Sequence, residues 1–214
     1  MEHPFKRIAL FDFDGVIVDT EPLYDLYWNE AGERYHTGIP HFASHIKGTT
    51  MPYILEKYFS DRSEAFRQQI VRESEAFEQQ MAFPPVPGAI EFMHLLKEKG
   101  IRVGLVTSSD DAKLKRALRI LQLESFFDTI VSADRITRGK PDPMCYELAA
   151  ADLHVTPADC LVFEDSFAGI EAATRAGMRV IGLSTTNPET ELRDKVHTVI
   201  PNFEGLTFDD YQKW

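Results

Sequence analysis

Six short apolar runs constrain this chain more than anything else in it: residues 7–11, Arg102–Val106, Thr129–Val131, Cys160–Glu164, Arg179–Leu183 and Thr198–Ile200. Most are continuously apolar instead of alternating. A strand with one wet face alternates, whereas a strand covered on both faces can stay apolar throughout, as in a parallel sheet. Between the runs lie helical patterns near 89–99, 110–122, 143–152 and 166–176. Gly100 and Gly177 stand where a helix would end on glycine. Repeated strand–helix–strand succession predicts an α/β fold, with an open parallel sheet as its core.

Residues 20–83 break that rhythm. They carry helical patterns near 21–36, 50–59 and 62–81, with no strong strand between them. They also hold 11 of the 24 aromatic residues and five of the seven tyrosines. A small helical bundle with its own core accounts for both facts. The turn after Asp14-Gly15 marks one edge, and the stiff run Phe83-Pro84-Pro85-Val86-Pro87-Gly88 marks the other. The expected division is a core of residues 1–16 and 85–214, with a helical insert of residues 17–84 placed after the first strand. The two connectors would serve as hinges. Within the insert the aromatics are expected to be core more than a sugar-stacking platform.

The 214 residues allow one large domain or two small ones. Lys and Arg total 23 against 34 Asp and Glu, giving a net charge of -11 that repels polyphosphate. A broad nucleic-acid footprint is therefore excluded, though a local pocket for one phosphate is not. No apolar run approaches the roughly 20 residues of a membrane span, and the N-terminus shows no signal peptide. Cys145 and Cys160 lack metal-ligand spacing and form no disulfide framework; the seven histidines are scattered without metal or triad spacing. A cytoplasmic monomer that binds no nucleic acid or membrane is the expectation.

Ligands of open α/β sheets bind beyond the carboxyl ends of the strands. After the first strand comes Asp12-Phe13-Asp14-Gly15, and after the second Thr107-Ser108-Ser109-Asp110. The third leads to Gly139-Lys140-Pro141-Asp142-Pro143, and the fourth ends in Glu164-Asp165-Ser166. One sheet edge thus collects two carboxylates, a hydroxyl pair, a lysine and two more carboxylates. Taken singly, each group has an ordinary alternative. A D-x-D pair can cap a strand, Ser109 can cap the helix that follows, and Glu164 with Asp165 can start the helix at 166–176.

The runs FDFDGVIVDTEP, GLVTSSD, GKPDP and LVFEDSFAGIEAATRAG resemble, in the correct order, the four motifs of the haloacid-dehalogenase-type phosphotransferase superfamily. The resemblance covers the whole chain and implies a Rossmann-like core with an inserted helical-bundle cap. It implies phosphoryl transfer through an aspartyl-phosphate, with Asp12 as nucleophile and Asp14 as general acid/base. It places phosphate contacts at Thr107 and at the backbone of Ser108, with Ser109 beside them at a helix start. Lys140 would neutralise the nucleophile and the transferring group. Mg²⁺ would take Asp12, the backbone carbonyl of Asp14, and Asp165, with Glu164 bound directly or through water. The partner implied is a small phosphorylated metabolite.

Weaker candidates lie in the insert. Asp19-Thr20-Glu21-Pro22 reads first as a helix start, with Thr20 also a candidate for the substrate pocket. Lys47-Gly48 forms a turn between helices; Lys47 and Thr50 are either substrate contacts or solvated turn residues. Within the superfamily the subgroup of β-phosphoglucomutase and small sugar-phosphate phosphatases is the most similar. The mutase carries a histidine where this chain has Tyr24, and a phosphate-binding arginine where it has Met51. Both departures favour hydrolysis of a phosphomonoester over a mutase, which must hold a bisphosphate. A non-catalytic binding protein on the same fold is the reading from a different class. It leaves the clustered carboxylates without a reason.

Overall fold

The computed structural model describes residues 8–214. Along the chain run β1 (Ile8–Phe11), α1 (Glu21–Arg34), α2 (Phe42–Ile46), α3 (Met51–Phe59), α4 (Glu64–Glu78), α5 (Ala89–Glu98), β2 (Arg102–Val106), α6 (Asp111–Leu121) and β3 (Thr129–Val131). There follow α7 (Met144–Asp152), β4 (Cys160–Glu164), α8 (Phe167–Arg175), β5 (Arg179–Leu183), α9 (Glu189–Leu192), β6 (Thr198–Ile200) and α10 (Phe208–Lys213). Arg7, assigned above to the first strand, lies outside the described residues.

The strands form one parallel sheet in the order β3-β2-β1-β4-β5-β6. Strand periodicity explains the continuous apolar runs. Ala9, Phe11, Val103, Leu105, Leu161 and Phe163 point to one face, under α5, α6 and α10. Ile8, Leu10, Val106, Cys160, Val162 and Val180 point to the other, under α7, α8 and α9. Neighbours in register stack as well: Phe11 pairs with Phe163, their ring centroids 4.5 Å apart.

The order reverses beside β1, with β2 on one side and β4 on the other. That is the switch point at which an open α/β sheet leaves a crevice. Helices α1–α4 stand over this edge with their own core of Trp28, Tyr35, Phe42, Ile54, Phe59 and Ile70. The chain enters and leaves this cap side by side. Val18 and Pro85 form an antiparallel bridge, closed by Asp19 N–H to the Pro84 carbonyl (2.7 Å) and Val86 N–H to the Ile17 carbonyl (2.9 Å). From the core, Arg116 on α6 donates to the carbonyls of Glu78 and Met81 at the end of α4. Cationic donors suit helix C-termini.

Candidate active site

Asp12 is the first residue past β1. Its N–H continues the ladder to the Phe163 carbonyl at 3.0 Å, which fixes its backbone between β2 and β4. Lys140 rises from the loop before α7 and is 1% exposed. Its Nζ lies 2.9 Å from Asp12 Oδ1 and 2.7 Å from Glu164 Oε1, and donates to the Val106 carbonyl. Burial alone would push an ammonium toward the neutral form. The carboxylates of Asp12 and Glu164 overcome that and hold Lys140 charged, above the ordinary lysine range.

Glu164 is fully buried, and both its oxygens are occupied. Oε1 accepts from Lys140 and Tyr146; Oε2 accepts from the N–H groups of Asp165 and Ser166 and from Ser166 Oγ. Asp165 differs. Thr186 donates to its Oδ2, while buried Oδ1 has no hydrogen-bond partner. Burial drives the Asp165 carboxyl well above the usual carboxylate range, with the charges of Glu164, Glu21 and Asp12 adding to the effect. Burial also raises Asp12, to about 7, partly offset by Lys140.

Oxygen atoms of Asp12, Glu164 and Asp165 lie within 4.8 Å of one another. An orphaned buried carboxylate oxygen beside two further acids fits a hard divalent cation. Gly15, at φ 76°, closes this corner; a Cβ there would run into the Asp165 carboxylate.

Asp14 belongs to a different cluster. Thr20 donates to its Oδ1, Ser109 Oγ to its Oδ2 at 2.8 Å, and Lys113 Nζ lies 2.5 Å from Oδ2. Lys113, on α6, also donates to Ser109 Oγ and sits over the Tyr24 ring at 4.6 Å. Two expectations need correction. Asp110 and not Ser109 caps α6, accepting from the Lys113 N–H, so Ser109 is left free to serve Asp14. Thr20 directly precedes α1, as a helix start should, but its side chain makes no capping bond because its hydroxyl goes to Asp14, and, fully buried, it does not line the cavity between core and cap.

A cavity of ≈ 440 Å³ lies between core and cap, and Asp12, Asp14, Thr107, Ser108, Ser109 and Asp165 reach it from the core side. The Thr107 N–H bonds the Val131 carbonyl, and Thr107 Oγ1 accepts from the Ser109 N–H, shaping the turn that faces the cavity. From the cap, Gly48 presses on Ser166 and its carbonyl accepts from Ser108 Oγ at 2.9 Å. Lys47 reaches the cavity but is tied to Glu21 and Asp25. Thr50 does not line it: buried, it packs against Gly139 beside the Lys140 loop. Glu164 and Lys140 sit beneath the floor.

Lys113, Thr186 and Tyr146 escaped the sequence reading. Lys113 had a signal: in α6 it shares the buried face with Leu114, Ala117 and Leu118, where an unpaired lysine would be costly. Thr186 had one too, since it follows β5 at the same sheet edge. Tyr146 lies inside α7 and gave none.

The chain is also similar to known proteins. The profile of the family described as haloacid dehalogenase-like hydrolase matches residues 9–183. The chain is 35% identical over 184 residues to a phosphorylated carbohydrates phosphatase of Thermotoga maritima, covering 82% of this chain and 84% of that one. It is 33% identical to the validoxylamine A 7'-phosphate phosphatase of Streptomyces hygroscopicus, covering 88% and 90%. Among solved structures, β-phosphoglucomutase of Clostridium difficile superposes with a TM-score of 0.80 at 27% identity, covering 97% and 96%.

Proposed function

Since the chain belongs to the haloacid dehalogenase-like hydrolases and is a phosphatase of that family, we propose that it hydrolyses the phosphomonoester of a small sugar or related metabolite through a phosphorylated Asp12, with Mg²⁺ as cofactor. The observation that carries this reading is Lys140, buried and charged, between Asp12 and Glu164 beneath the cavity.

In the first step an Asp12 oxygen attacks phosphorus. The bond to Asp12 forms as the bond to the alcohol oxygen breaks, and Asp14 delivers a proton to that oxygen. In the second step water attacks the same phosphorus, Asp14 takes its proton, and Asp12 leaves with the electron pair. Thr107 and the turn after it hold the phosphoryl oxygens, and Lys140 balances their charge. Asp12, Asp165 and the carbonyl of Asp14 would hold Mg²⁺, which supplies the positive charge that the raised carboxyls lack. Glu164 serves mainly to aim Lys140, because both its oxygens are already taken. Residues 17–84 act as the cap over this site.

Hydrolysis is favoured over mutase action because Met51 and Tyr24 bring no charge to the cavity, and the Tyr24 hydroxyl is committed to Glu78. The test is release of phosphate from p-nitrophenyl phosphate with and without Mg²⁺. Asp12→Asn is expected to lower kcat by about 10³-fold or more. Undiminished activity in that variant, or indifference to chelation, would overturn the mechanism. Conversion of β-glucose 1-phosphate to glucose 6-phosphate without phosphate loss, seen by NMR, would replace hydrolase with mutase.

A further inference from the structure

Charge along the cavity wall is unbalanced. Among the described residues that line it, carboxylates outnumber ammonium groups nine to two, and no arginine or histidine contributes. Both ammonium groups are already engaged. Lys113 is 2.5 Å from Asp14, and Lys47 is 3.3 Å from Glu21 and 2.9 Å from Asp25. Lys140, below the floor, is shared between Asp12 and Glu164. The phosphoryl end has its own partners in the Thr107 turn and Lys140, with Asp12 and Asp165 as the acids that would hold Mg²⁺.

Past that end the cavity runs into the cap. There Trp28, Ile54, Leu55 and Val71 offer apolar surface, and Asp25, Glu75 and Glu78 offer acceptors without a donor cation to spare. Asp110 and Asp134 stand on the core side of the same wall. A hydroxyl or ammonium group on the substrate would donate to such a wall. A carboxylate or second phosphate would face like charges with no counter-ion.

We propose that this cavity selects its substrate by the charge of the alcohol part: it accepts neutral and amino-bearing polyol phosphates and rejects phosphomonoesters that carry a second anionic group. The proposal rests on the phosphomonoester reading above and narrows it to a substrate class.

The experiment measures phosphate release by the full chain with Mg²⁺. The panel holds matched esters of two to six carbons, each backbone in neutral, amino, carboxylate and bisphosphate form, with p-nitrophenyl phosphate alongside. We expect the best substrate to be a neutral or amino ester, with anionic counterparts roughly tenfold or more lower in kcat/KM. A carboxylate or bisphosphate that leads the panel, or matches its neutral counterpart, overturns the proposal. Inactivity on every ester, p-nitrophenyl phosphate included, would instead defeat the phosphatase reading. A second arm uses Glu75→Lys, at an exposed position of α4. It should raise the anionic-to-neutral ratio of kcat/KM about fivefold; an unchanged ratio counts against selection by this wall.

Discussion

The sheet edge and the cap both present carboxylates to the same cavity, but they handle charge differently. At the sheet edge the buried ammonium Lys140 is fixed from three sides by Asp12, Glu164 and the Val106 carbonyl, in positions set by strand register. In the cap, Lys47 is 17% exposed at its side chain and pairs with Glu21 and Asp25 on a neighbouring helix. Backbone pairing of β1 with β2 and β4 makes the first arrangement rigid. The second depends on helices packed around aromatic rings. The difference teaches that the sheet edge supplies the fixed part of the cavity, while the helices above it are free to vary what lies opposite.

The sharpest way to break this comparison is Lys140→Met. It would leave Glu164 fully buried and facing Asp12 without a cation, costing about 3–5 kcal/mol of stability by denaturant titration. It should also remove nearly all phosphatase activity. A variant of normal stability would mean that the sheet edge tolerates rearrangement as readily as the cap.

Next in size is Lys113→Met. Asp14 would keep Thr20 and Ser109 but lose its closest cation. We expect kcat/KM to fall about 10–100-fold for an alkyl phosphate and much less for p-nitrophenyl phosphate, whose leaving group needs little protonation. An equal loss on both esters would point to a structural defect.

The third prediction concerns pH without metal. Burial raises the Asp12 carboxyl in the folded state to about 7, above the ordinary carboxylate range, and raises Asp165 as well. A raised acid contributes stability that is complete below its unfolded pKa and lost as pH rises through the folded one. Chelated protein should therefore lose Tm between about pH 4 and 7, relative to the Asp12→Asn variant. Added Mg²⁺ should raise Tm at pH 8 and have little effect at pH 4; equal stabilisation at both values would contradict Asp12 and Asp165 as its binding place.

The smallest expected effect is Thr50→Ala. Thr50 makes no capping hydrogen bond, so less than the ordinary cost of about 1 kcal/mol for such a change should appear. Its phosphatase activity should stay within about twofold of the parent. A large loss of kcat would return Thr50 to the substrate-binding set.

All six strands were legible: in the four inner ones burial on both faces leaves a continuous apolar run, and the edge strands Thr129–Val131 and Thr198–Ile200 are short β-branched runs. Their carboxyl ends then brought Asp12, Asp14, Thr107, Lys140, Glu164 and Asp165 into one neighbourhood. What escaped is what backbone periodicity does not encode. Helices α2, α9 and α10 have five, four and six residues, too few to show a period. Ser109 and Asp110 are adjacent and equally able to cap α6; only the position of Asp14 across the crevice separates their tasks. Thr20 and Thr50 are the same residue type beside helix starts. One reaches Asp14 and the other packs on Gly139, a distinction made by tertiary placement.

The paired backbone of Val18 and Pro85 has a mechanical consequence. Two crossings stitched at one spot would let the cap turn as a door hung on a single pin. Swinging it would pull Gly48 away from Ser108 and Ser166, opening a path for an ester to enter or an alcohol to depart. Asp12, Lys140 and Glu164 all lie on the frame side, so their spacing need not change however wide the door stands.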